Sequence, residues 1–509
     1  TLTTLRQPLM PTLLETDGYK FSMAEAGFPL RDETFYYSHR KGGWQFLPID
    51  VEDFIKRSLP TAFPEDYAYL DSHGYFQGGA FRQAITQHDK VRVTTLPKGA
   101  WFYDREPVFT VSGPSALVSW LEPLVLQLNF RIQVATCALL TPERLGEMVG
   151  VVTCEREREI VLETLDTVGV AAPDIIVMTN TYGDDVLARA KNLVRVVGGD
   201  ADRLFEVGMR AVTCYEQHEI ALRAVKEAGI TRTSNVAIAR MLDMIPVGTM
   251  GHEHVQRHGS DYAAYTSMRD KFPGFIFYLP DTFDTLASGI PSALAAMLDD
   301  PSRNSGIRFD SEHGIVGHYL YAVNRARECG LTPLLGLESG WDDKKTEQFE
   351  DLRNLVGWPA DRQGYGYGGF LVKPSWKHFG RDDVSAVWKI TRSGDKATMK
   401  FGDEPKGGKT SIPGRPVLWR PHLGMGGLTG VPVGYVAQEG EDWKPPVPAT
   451  LLSGAKGFAN PVNFQVGEVK SFSHIRKDLV MSPATQALID RCTAERAAGI
   501  TATLTNRKV

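Results

Sequence analysis

Five residues that could bind substrates or take part in catalysis follow apolar runs at nearly constant intervals. The runs end at His252, Asp281, Asp310, Glu338 and Gly368, so successive run ends lie 29, 29, 28 and 30 residues apart. A parallel strand, its crossover helix and their loops occupy about 30 residues. This spacing therefore predicts an α/β barrel whose C-terminal face carries the five residues, because such barrels place their active sites there. The alternatives are a doubly wound open sheet, or strands that merely end in polar turn residues.

Three histidines lie close together in the segment GHEHVQRHG. His254 and His258 are four residues apart, so one helix face could present both to a metal ion, with Asp281 and Asp310 as further ligands. This pattern offers an alternative function, that of a metal-dependent barrel hydrolase. The order HEH lacks the carboxylate position of an HExxH zinc site, which favours solvated helix histidines at positions 254 and 258. His252 differs, because it ends an apolar run where a nucleophile would lie.

Two further patterns are suited to binding anions. Arg308 and Asp310 alternate along one predicted strand, so both side chains point to the same face. They could form a structural ion pair, or bind an anionic substrate group and a sugar hydroxyl or metal. The segment QGYGYGGFLVKP carries four glycines between positions 364 and 369, which could let backbone N–H groups surround a phosphate or could serve tight barrel turns. It is not a Walker A loop, because no GK[ST] follows.

The composition is typical of a globular enzyme. The chain has 509 residues, of which 42% are hydrophobic and 23% charged, and this excludes a disordered or low-complexity protein. Its 56 basic and 61 acidic residues give a net charge of -5, so neither nucleic acid nor a membrane surface is an expected partner. Five scattered cysteines without a CxxC pair favour a reducing cytoplasm over a disulfide framework or a zinc ribbon. Neither a signal peptide nor an uninterrupted run of 18 apolar residues is recognisable, so we expect no export and no membrane span.

The elements that would position these residues change along the chain. Short alternating strands are predicted over about 12–120, a buried helix over 115–138 and a solvated amphipathic helix over 155–167. A βα alternation follows. Antiparallel strands return beyond about residue 377, and a helix is predicted near 483–498.

We therefore predict an α/β protein with three parts. An N-terminal α/β domain, rich in strands, covers residues 1–150, and an irregular α/β barrel covers 151–380. The C-terminal segment 381–509 is expected to return and complete the N-terminal domain.

An ordered set of motifs resembles the nicotinate phosphoribosyltransferase family, which includes the nicotinamide phosphoribosyltransferases. The motifs cover roughly four fifths of the chain. In chain order they are LLETDGYKFSM, SHRKGG, TSNVAIA, PVGTMGHEHVQ, LPDTFDTLASG, GIRFDS, GYGYGGFLV, MKF and SIPGRPVLWR.

The resemblance implies an enzyme that joins nicotinate to 5-phosphoribosyl 1-pyrophosphate, with nicotinate mononucleotide and pyrophosphate as products. It also implies Mg²⁺, ATP as a coupled substrate, and a phosphorylated histidine that matches His252. The implied assembly is a homodimer with active sites at the subunit interface. The implied fold is an N-terminal domain, completed by C-terminal sequence, on an irregular α/β barrel.

The resemblance also implies roles for individual residues. Arg308 binds the pyridine substituent, and Asp281 and Asp310 hold ribose hydroxyls, Mg²⁺ or the phosphohistidine. Tyr19 stacks on the base from the partner subunit, and Arg210 lies beside the base pocket. The phosphate groups of the substrates match Arg40, Gly368, Gly369 and Lys389.

Selection between acid and amide is assigned to Ser234. The nicotinamide enzymes carry an aspartate near this position, which accepts from an amide and repels a carboxylate, whereas a hydroxyl can donate to a carboxylate. The motif TSN therefore favours nicotinate.

Three departures from the family pattern affect the site. Val207 replaces an aromatic residue before the GxR motif, so stacking on that side would depend on Phe205. Glu312 and His313 change the loop after Asp310. In LESGWDD, either Glu338 or Asp342 stands where an aspartate is expected.

Besides the hydrolase, two alternatives stay open. The loop GYGYGG is closer to the nicotinamide branch, which makes nicotinamide phosphoribosyltransferase the second candidate. A non-catalytic nucleotide-binding relative would bind ligands without turnover.

Overall fold

The structure is a computed structural model that describes residues 11–401, 410–422, 431–456, 466–470 and 476–505. The strands in chain order are β1 Asp32–His39, β2 Gln45–Phe46, β3 Arg92–Thr95, β4 Trp101–Phe102, β5 Phe109–Pro114, β6 Val151–Val152, β7 Ile176–Val177, β8 Leu204–Glu206, β9 Arg232–Thr233, β10 Ile245–Pro246, β11 Ile276–Tyr278, β12 Ser305–Phe309, β13 Leu334–Leu337, β14 Gln363–Tyr367, β15 Ala386–Ser393, β16 Lys396–Ala397, β17 Pro416–Pro421, β18 Pro432–Gln438, β19 Ala449–Leu451 and β20 Arg476–Met481.

The described α-helices lie between and around these strands. They are α1 Tyr19–Glu25, α2 Val51–Ser58, α3 Pro64–Ser72, α4 Gly79–Thr86, α5 Ser115–Trp120, α6 Glu122–Leu140, α7 Leu145–Val149, α8 Glu155–Val168, α9 Thr179–Val196, α10 Tyr215–Glu227, α11 Val236–Leu242, α12 His252–His258, α13 Asp261–Lys271, α14 Ile290–Asp299, α15 Ile315–Glu328, α16 Asp343–Val356, α17 Gly369–Val372, α18 Arg381–Val384, α19 Val466–Lys470 and α20 Pro483–Thr505. The predicted helix over 155–167 is confirmed as α8. The predicted helix over 115–138 is divided into α5 and α6, and the one predicted near 483–498 extends to Thr505.

A seven-stranded parallel sheet carries the periodic motifs of the sequence. Its strand order is β10-β9-β8-β14-β13-β12-β11, so the four consecutive strands β11 to β14 are neighbours. Helices α14, α15 and α16 connect them in turn, as the interval of about 30 residues predicted. The polar residues that follow β11, β12 and β13 therefore meet at one edge of the sheet.

The parallel sheet curls. The segment that follows the edge strand β10 therefore contacts the opposite edge strand, β11. The hydroxyl of Thr249, which follows β10, donates to the carbonyl of Phe275 at 3.0 Å and accepts from the N–H of Phe277 in β11 at 3.3 Å. The predicted α/β class is confirmed in this form. Closure of the sheet into a barrel stays a prediction.

Two further sheets involve the C-terminal part of the chain, one antiparallel and one mixed, since β18 and β20 pair in parallel. A five-stranded sheet has the order β16-β15-β1-β5-β3, in which β15 pairs antiparallel with β1. A second sheet has the order β19-β17-β18-β20. C-terminal sequence is thus hydrogen-bonded to the N-terminal strands, while the boundaries at residues 150 and 380 stay predictions.

One described helix, α6, is long and apolar enough to cross a membrane. Most of it is buried inside the protein, since it packs against α8 and the strands β2 and β15. Core helices of globular proteins pass the same length and hydropathy test, and α6 is the buried helix that the sequence predicted.

Candidate active site

Two cavities meet at the C-terminal edge of the parallel sheet. The small chamber has a volume of about 420 Å³, and its lining includes Asp17, Tyr19, Phe205, Ser234 and Arg308. The large chamber has a volume of about 1350 Å³, and its lining includes Arg40, Gly368, Gly369, Arg381 and Lys400. Both chambers are lined by Val207, Arg210, His252, Asp310, Glu338 and Lys389.

His252 lies where the chambers meet. It begins α12, whereas β10 ends at Pro246, so a short loop separates His252 from the end of the strand. Its Nδ1 is 3.0 Å from Thr282 Oγ1 and its Nε2 is 3.3 Å from Asp310 Oδ2. Burial, assisted by the nearby Lys400 ammonium, lowers the pKa of His252 to about 3. The imidazole is therefore neutral at physiological pH and keeps a nucleophilic lone pair.

Asp281 and Asp310 approach the same imidazole from β11 and β12. Asp281 Oδ1 is 3.7 Å from His252 Nε2, and Asp281 Oδ2 accepts a hydrogen bond from the Ser311 hydroxyl at 2.5 Å. One donor atom from each of His252, Asp281 and Asp310 lies within 4.8 Å of the others. The two carboxylates offer the hard oxygen ligands that Mg²⁺ prefers. The residues present therefore fit a divalent cation.

Tyr19 and Arg210 form one side of the small chamber. The Arg210 guanidinium is 5.6 Å from the centroid of the Tyr19 ring, and the Tyr19 hydroxyl donates to Glu122. Gly251 lies against the ring edge, where a Cβ would be 2.6 Å from Tyr19 Cε2. Tyr19 reaches this chamber within its own chain. Supply of this residue by the partner subunit stays a prediction.

Ser234 lies in the small chamber but does not point freely at a ligand. Its hydroxyl is 2.6 Å from Asp17 Oδ1, and both side chains are buried. Sequence reasoning missed Asp17, although it lies in the quoted motif LLETDGYKFSM.

Arg308 lines the small chamber without pairing with Asp310. Its Nε is 3.6 Å from Glu338 Oε2, and the structural pair Arg308–Asp310 considered from the sequence is not observed. Burial raises the pKa of Glu338 in spite of the nearby Arg308. Asp342 instead caps α16 by accepting from the Lys345 N–H at 2.8 Å. Both acidic residues of LESGWDD line the large chamber, but only Glu338 also lines the small chamber.

Two other sequence departures have clear positions. Phe205 and Val207 both line the small chamber, and the Phe205 ring packs edge-on against Phe277. An aromatic ring is therefore present on this side despite the change at Val207. Glu312 lines the large chamber and pairs with Lys345, with 3.3 Å between Oε1 and Nζ.

The large chamber is rich in cations. Sequence reasoning named Arg40 and Lys389, and the structure adds Arg381 and Lys400. Burial, together with Arg40 and Lys400, lowers the pKa of Lys389 well below its usual range. Burial also lowers the pKa of Arg381. Such mutual crowding of positive charge is relieved when a polyanion binds.

Gly368 and Gly369 line the large chamber at the end of β14. Gly369 begins the short helix α17, and a Cβ at this position would lie 2.8 Å from Asp382 Oδ2. Only a residue without a side chain fits here unless Asp382 moves. Lys400 could have been found from the motif MKF, whereas nothing in the sequence distinguished Arg381.

The remaining two histidines of GHEHVQRHG are not solvated, contrary to the sequence prediction. His254 is fully buried and hydrogen-bonds through Nε2 to the Ala264 carbonyl at 2.8 Å. His258 is mostly buried and contacts the Ala26 carbonyl at 3.0 Å. Neither histidine belongs to a group of potential metal ligands within the part of the chain that the structure describes.

The chain is similar in sequence to curated nicotinate phosphoribosyltransferases. It is 26% identical to the Bacillus subtilis protein over 47% of each chain. It is 23% identical to the protein from Desulforapulum autotrophicum, over 61% of this chain and 74% of the relative. The match thus spans about half the length of the Bacillus subtilis relative. No family model matches the chain.

Solved structures show the same fold. The nicotinate phosphoribosyltransferase of Porphyromonas gingivalis has a TM-score of 0.55 at 16% identity, over 79% of this chain and 96% of its own. The Vibrio cholerae enzyme also has a TM-score of 0.55 at 16% identity, over 79% of this chain and 90% of its own. Together with the sequence relatives, these matches confirm the resemblance that the motifs carried.

Proposed function

The chain is a relative of the nicotinate phosphoribosyltransferases, and from this premise we propose that it transfers phosphoribosyl from 5-phosphoribosyl 1-pyrophosphate to nicotinate, coupled to ATP hydrolysis. The observation that carries the proposal is the meeting of two unlike chambers at His252 and Asp310. One chamber suits a flat aromatic ring, and the other suits a multiply charged phosphate ester. A reaction between such substrates would take place where the chambers join.

The small chamber would hold the pyridine ring. Tyr19 and Phe205 offer aromatic surfaces, and Arg210 and Arg308 offer positive charge to an anionic substituent. This arrangement would direct the ring nitrogen towards the sugar in the large chamber.

The large chamber would hold the phosphoribosyl donor. As the bond between C1 and pyrophosphate breaks, negative charge grows on the leaving group and positive charge grows on the ribose. Preorganised cations stabilise the leaving group without reorganisation during the reaction. Arg40, Arg381, Lys389 and Lys400 are placed for this role, and the backbone at Gly368 and Gly369 would receive the 5-phosphate.

His252 would accept the γ-phosphoryl group of ATP on a ring nitrogen, with ADP as the leaving group. Its low pKa keeps the imidazole unprotonated, and Thr282 and Asp310 orient the ring. Subsequent hydrolysis of the phosphohistidine would couple ATP use to transfer.

Asp281 and Asp310 are the residues that would hold Mg²⁺. When bound, the ion would neutralise phosphate charge. We also propose that the sheet closes into a barrel through the Thr249 contacts and that the protein acts in the cytoplasm. A homodimer with adjoining sites is proposed by analogy.

The test is a product assay with 5-phosphoribosyl 1-pyrophosphate and Mg²⁺, offering nicotinate or nicotinamide, each with and without ATP. We expect nicotinate mononucleotide in larger yield with ATP. Exclusive formation of nicotinamide mononucleotide would move the protein to the second candidate function. If neither base reacts, the proposal fails, and stoichiometric zinc in the purified protein would then favour the hydrolase.

A further inference from the structure

The floor of the small chamber contains a buried carboxyl group that none of the roles above uses. Asp17 is almost completely buried, and its Oδ1 is hydrogen-bonded to the Ser234 hydroxyl at 2.6 Å. Its Oδ2 lies 3.6 Å from Arg210 Nε and has no hydrogen-bond partner among the described residues. Asp17 also lines the chamber. Oδ2 is itself buried, so a ligand that reaches this carboxyl group would meet an oxygen atom whose hydrogen-bonding capacity is unfilled.

The backbone fixes the position of this carboxyl group. Asp17 and Asn235 form an antiparallel bridge, and the Gly18 N–H donates to the Ser234 carbonyl at 2.8 Å. The two segments are separated by more than 200 residues but are held side by side. Asp17 and Ser234 therefore act as one unit.

The hydrogen bond decides what Ser234 can offer a substrate. A hydroxyl has a single proton, and while that proton is donated to a carboxylate at Asp17 only lone pairs of Ser234 remain for a ligand. The ligand then meets two acceptors, Ser234 Oγ and Asp17 Oδ2. An NH₂ group satisfies both, whereas a carboxylate satisfies neither and adds a like charge.

We propose that Asp17, acting with Ser234, determines which pyridine 3-substituent the small chamber accepts, and that it favours a carboxamide over a carboxylate. The inference rests on the proposed function, because it concerns the pyridine substrate of that reaction. Arg210 and Arg308 attract the carboxylate, and Asp17 opposes them. The selectivity of the enzyme is the balance of these contributions, not a property of Ser234 alone.

The central experiment is the substitution Asp17→Asn, which preserves size and removes the charge. We expect the ratio of kcat/KM for nicotinate to kcat/KM for nicotinamide to rise about tenfold, mainly through KM. Ser234→Ala in the Asp17→Asn background should change this ratio by less than Ser234→Ala does in the wild type, because the two residues act together. Asp66→Asn is the matched control, since Asp66 is a buried carboxylate 3.3 Å from Arg240 outside both chambers.

The outcome can be separated from the fate of the proposed function. Calorimetric titration of each protein with nicotinate and with nicotinamide measures the ratio of Kd values without turnover. If turnover fails for both bases in the wild type but Asp17→Asn still shifts the Kd ratio towards nicotinate, the proposed function is wrong and the inference about the chamber stands. An unchanged ratio in Asp17→Asn, with both bases weakened equally, would overturn the inference. If Asp17→Asn does not fold, Asp17→Ser must show the same shift in ratio.

Discussion

Helix α12 separates two clusters of ionisable residues that differ in the distances between their paired groups. The packed cluster consists of Lys20, Glu33, Glu253 and Arg257. The site cluster consists of His252, Asp281, Asp310 and Lys400. His252 and Glu253 are adjacent in sequence, yet they belong to different clusters.

The packed cluster has contact distances typical of hydrogen-bonded ion pairs. Arg257 is 2.8 Å from Glu33 through two nitrogens and 2.8 Å from Glu253, and serine hydroxyls fill further acceptor positions. In the site cluster the paired atoms of the ionisable groups are 3.3 to 4.0 Å apart, and the groups adjoin the two chambers. Burial of charge therefore does not by itself mark a functional site. Longer contacts between ionisable groups beside a cavity are a better mark, because a ligand can reach those groups.

The largest expected effect on stability belongs to the packed cluster. Glu33→Gln leaves Arg257 buried with half of its compensation, so the free energy of unfolding should fall by about 3 to 5 kcal/mol. Urea unfolding followed by circular dichroism measures the change. A loss below about 1 kcal/mol would show that the cluster is not held by this pair.

His252→Ala should affect function more than stability. We expect the ATP-dependent part of the transfer rate to fall at least about 100-fold, equivalent to about 2.7 kcal/mol, because the phosphoryl acceptor is lost. Transfer assays with and without ATP measure this effect. Full retention of ATP stimulation would remove the role assigned to His252.

Stability measured over a series of pH values tests whether His254, on the packed side of α12, is neutral in the folded protein. Burial lowers the pKa of His254 well below its usual value, so the unfolded chain binds a proton below about pH 6.5 that the folded protein does not. The contribution of the neutral His254 to the free energy of unfolding is therefore fully present above pH 6.5. It is lost as the pH falls, by up to about 2 kcal/mol at pH 5. His254→Gln should flatten this dependence in thermal unfolding, whereas the exposed His73→Gln should not. Equal slopes in all three proteins would contradict the assignment.

Lys389→Met should weaken binding of the phosphoribosyl donor in the large chamber without disturbing the packed cluster. We expect KM for 5-phosphoribosyl 1-pyrophosphate to rise about tenfold, or about 1.4 kcal/mol, because one phosphate-binding cation is removed. Steady-state kinetics at varied donor concentration measures it. Lys396→Met is the control, since this lysine lies in the neighbouring strand β16 and outside both chambers of the site. Equal effects of the two substitutions would show that position in the chamber is unimportant.

The smallest expected effect comes from an exposed ion pair with the same contact distance as the packed one. Arg57 Nε is 2.8 Å from Asp53 Oδ2, the distance that also separates Arg257 from Glu33. Asp53→Asn should change the free energy of unfolding by less than about 0.5 kcal/mol, because water screens the pair. The same urea experiment tests this. A loss similar to that of Glu33→Gln would refute burial as the cause of the difference.

The sequence by itself was sufficient to predict the periodic part of the fold and the residues at its edge. Apolar runs about 30 residues apart became the neighbouring strands β11 to β14, since parallel strands joined by helices must repeat at this interval. Asp281, Asp310 and Glu338 consequently line or adjoin one site. The motifs were also sufficient to recognise the family, and they included Lys400 and Asp17 without showing their importance.

The tertiary structure alone decided which of these groups contact each other. The contacts of Ser234 with Asp17, and of Arg308 with Glu338 instead of Asp310, join segments whose separation along the chain carries no periodic signal. The burial of His254 and the entry of Tyr19 into its own chain's chamber have the same origin. Local periodicity determines which face of an element is apolar, whereas packing between distant elements determines which polar atoms lie within hydrogen-bond distance.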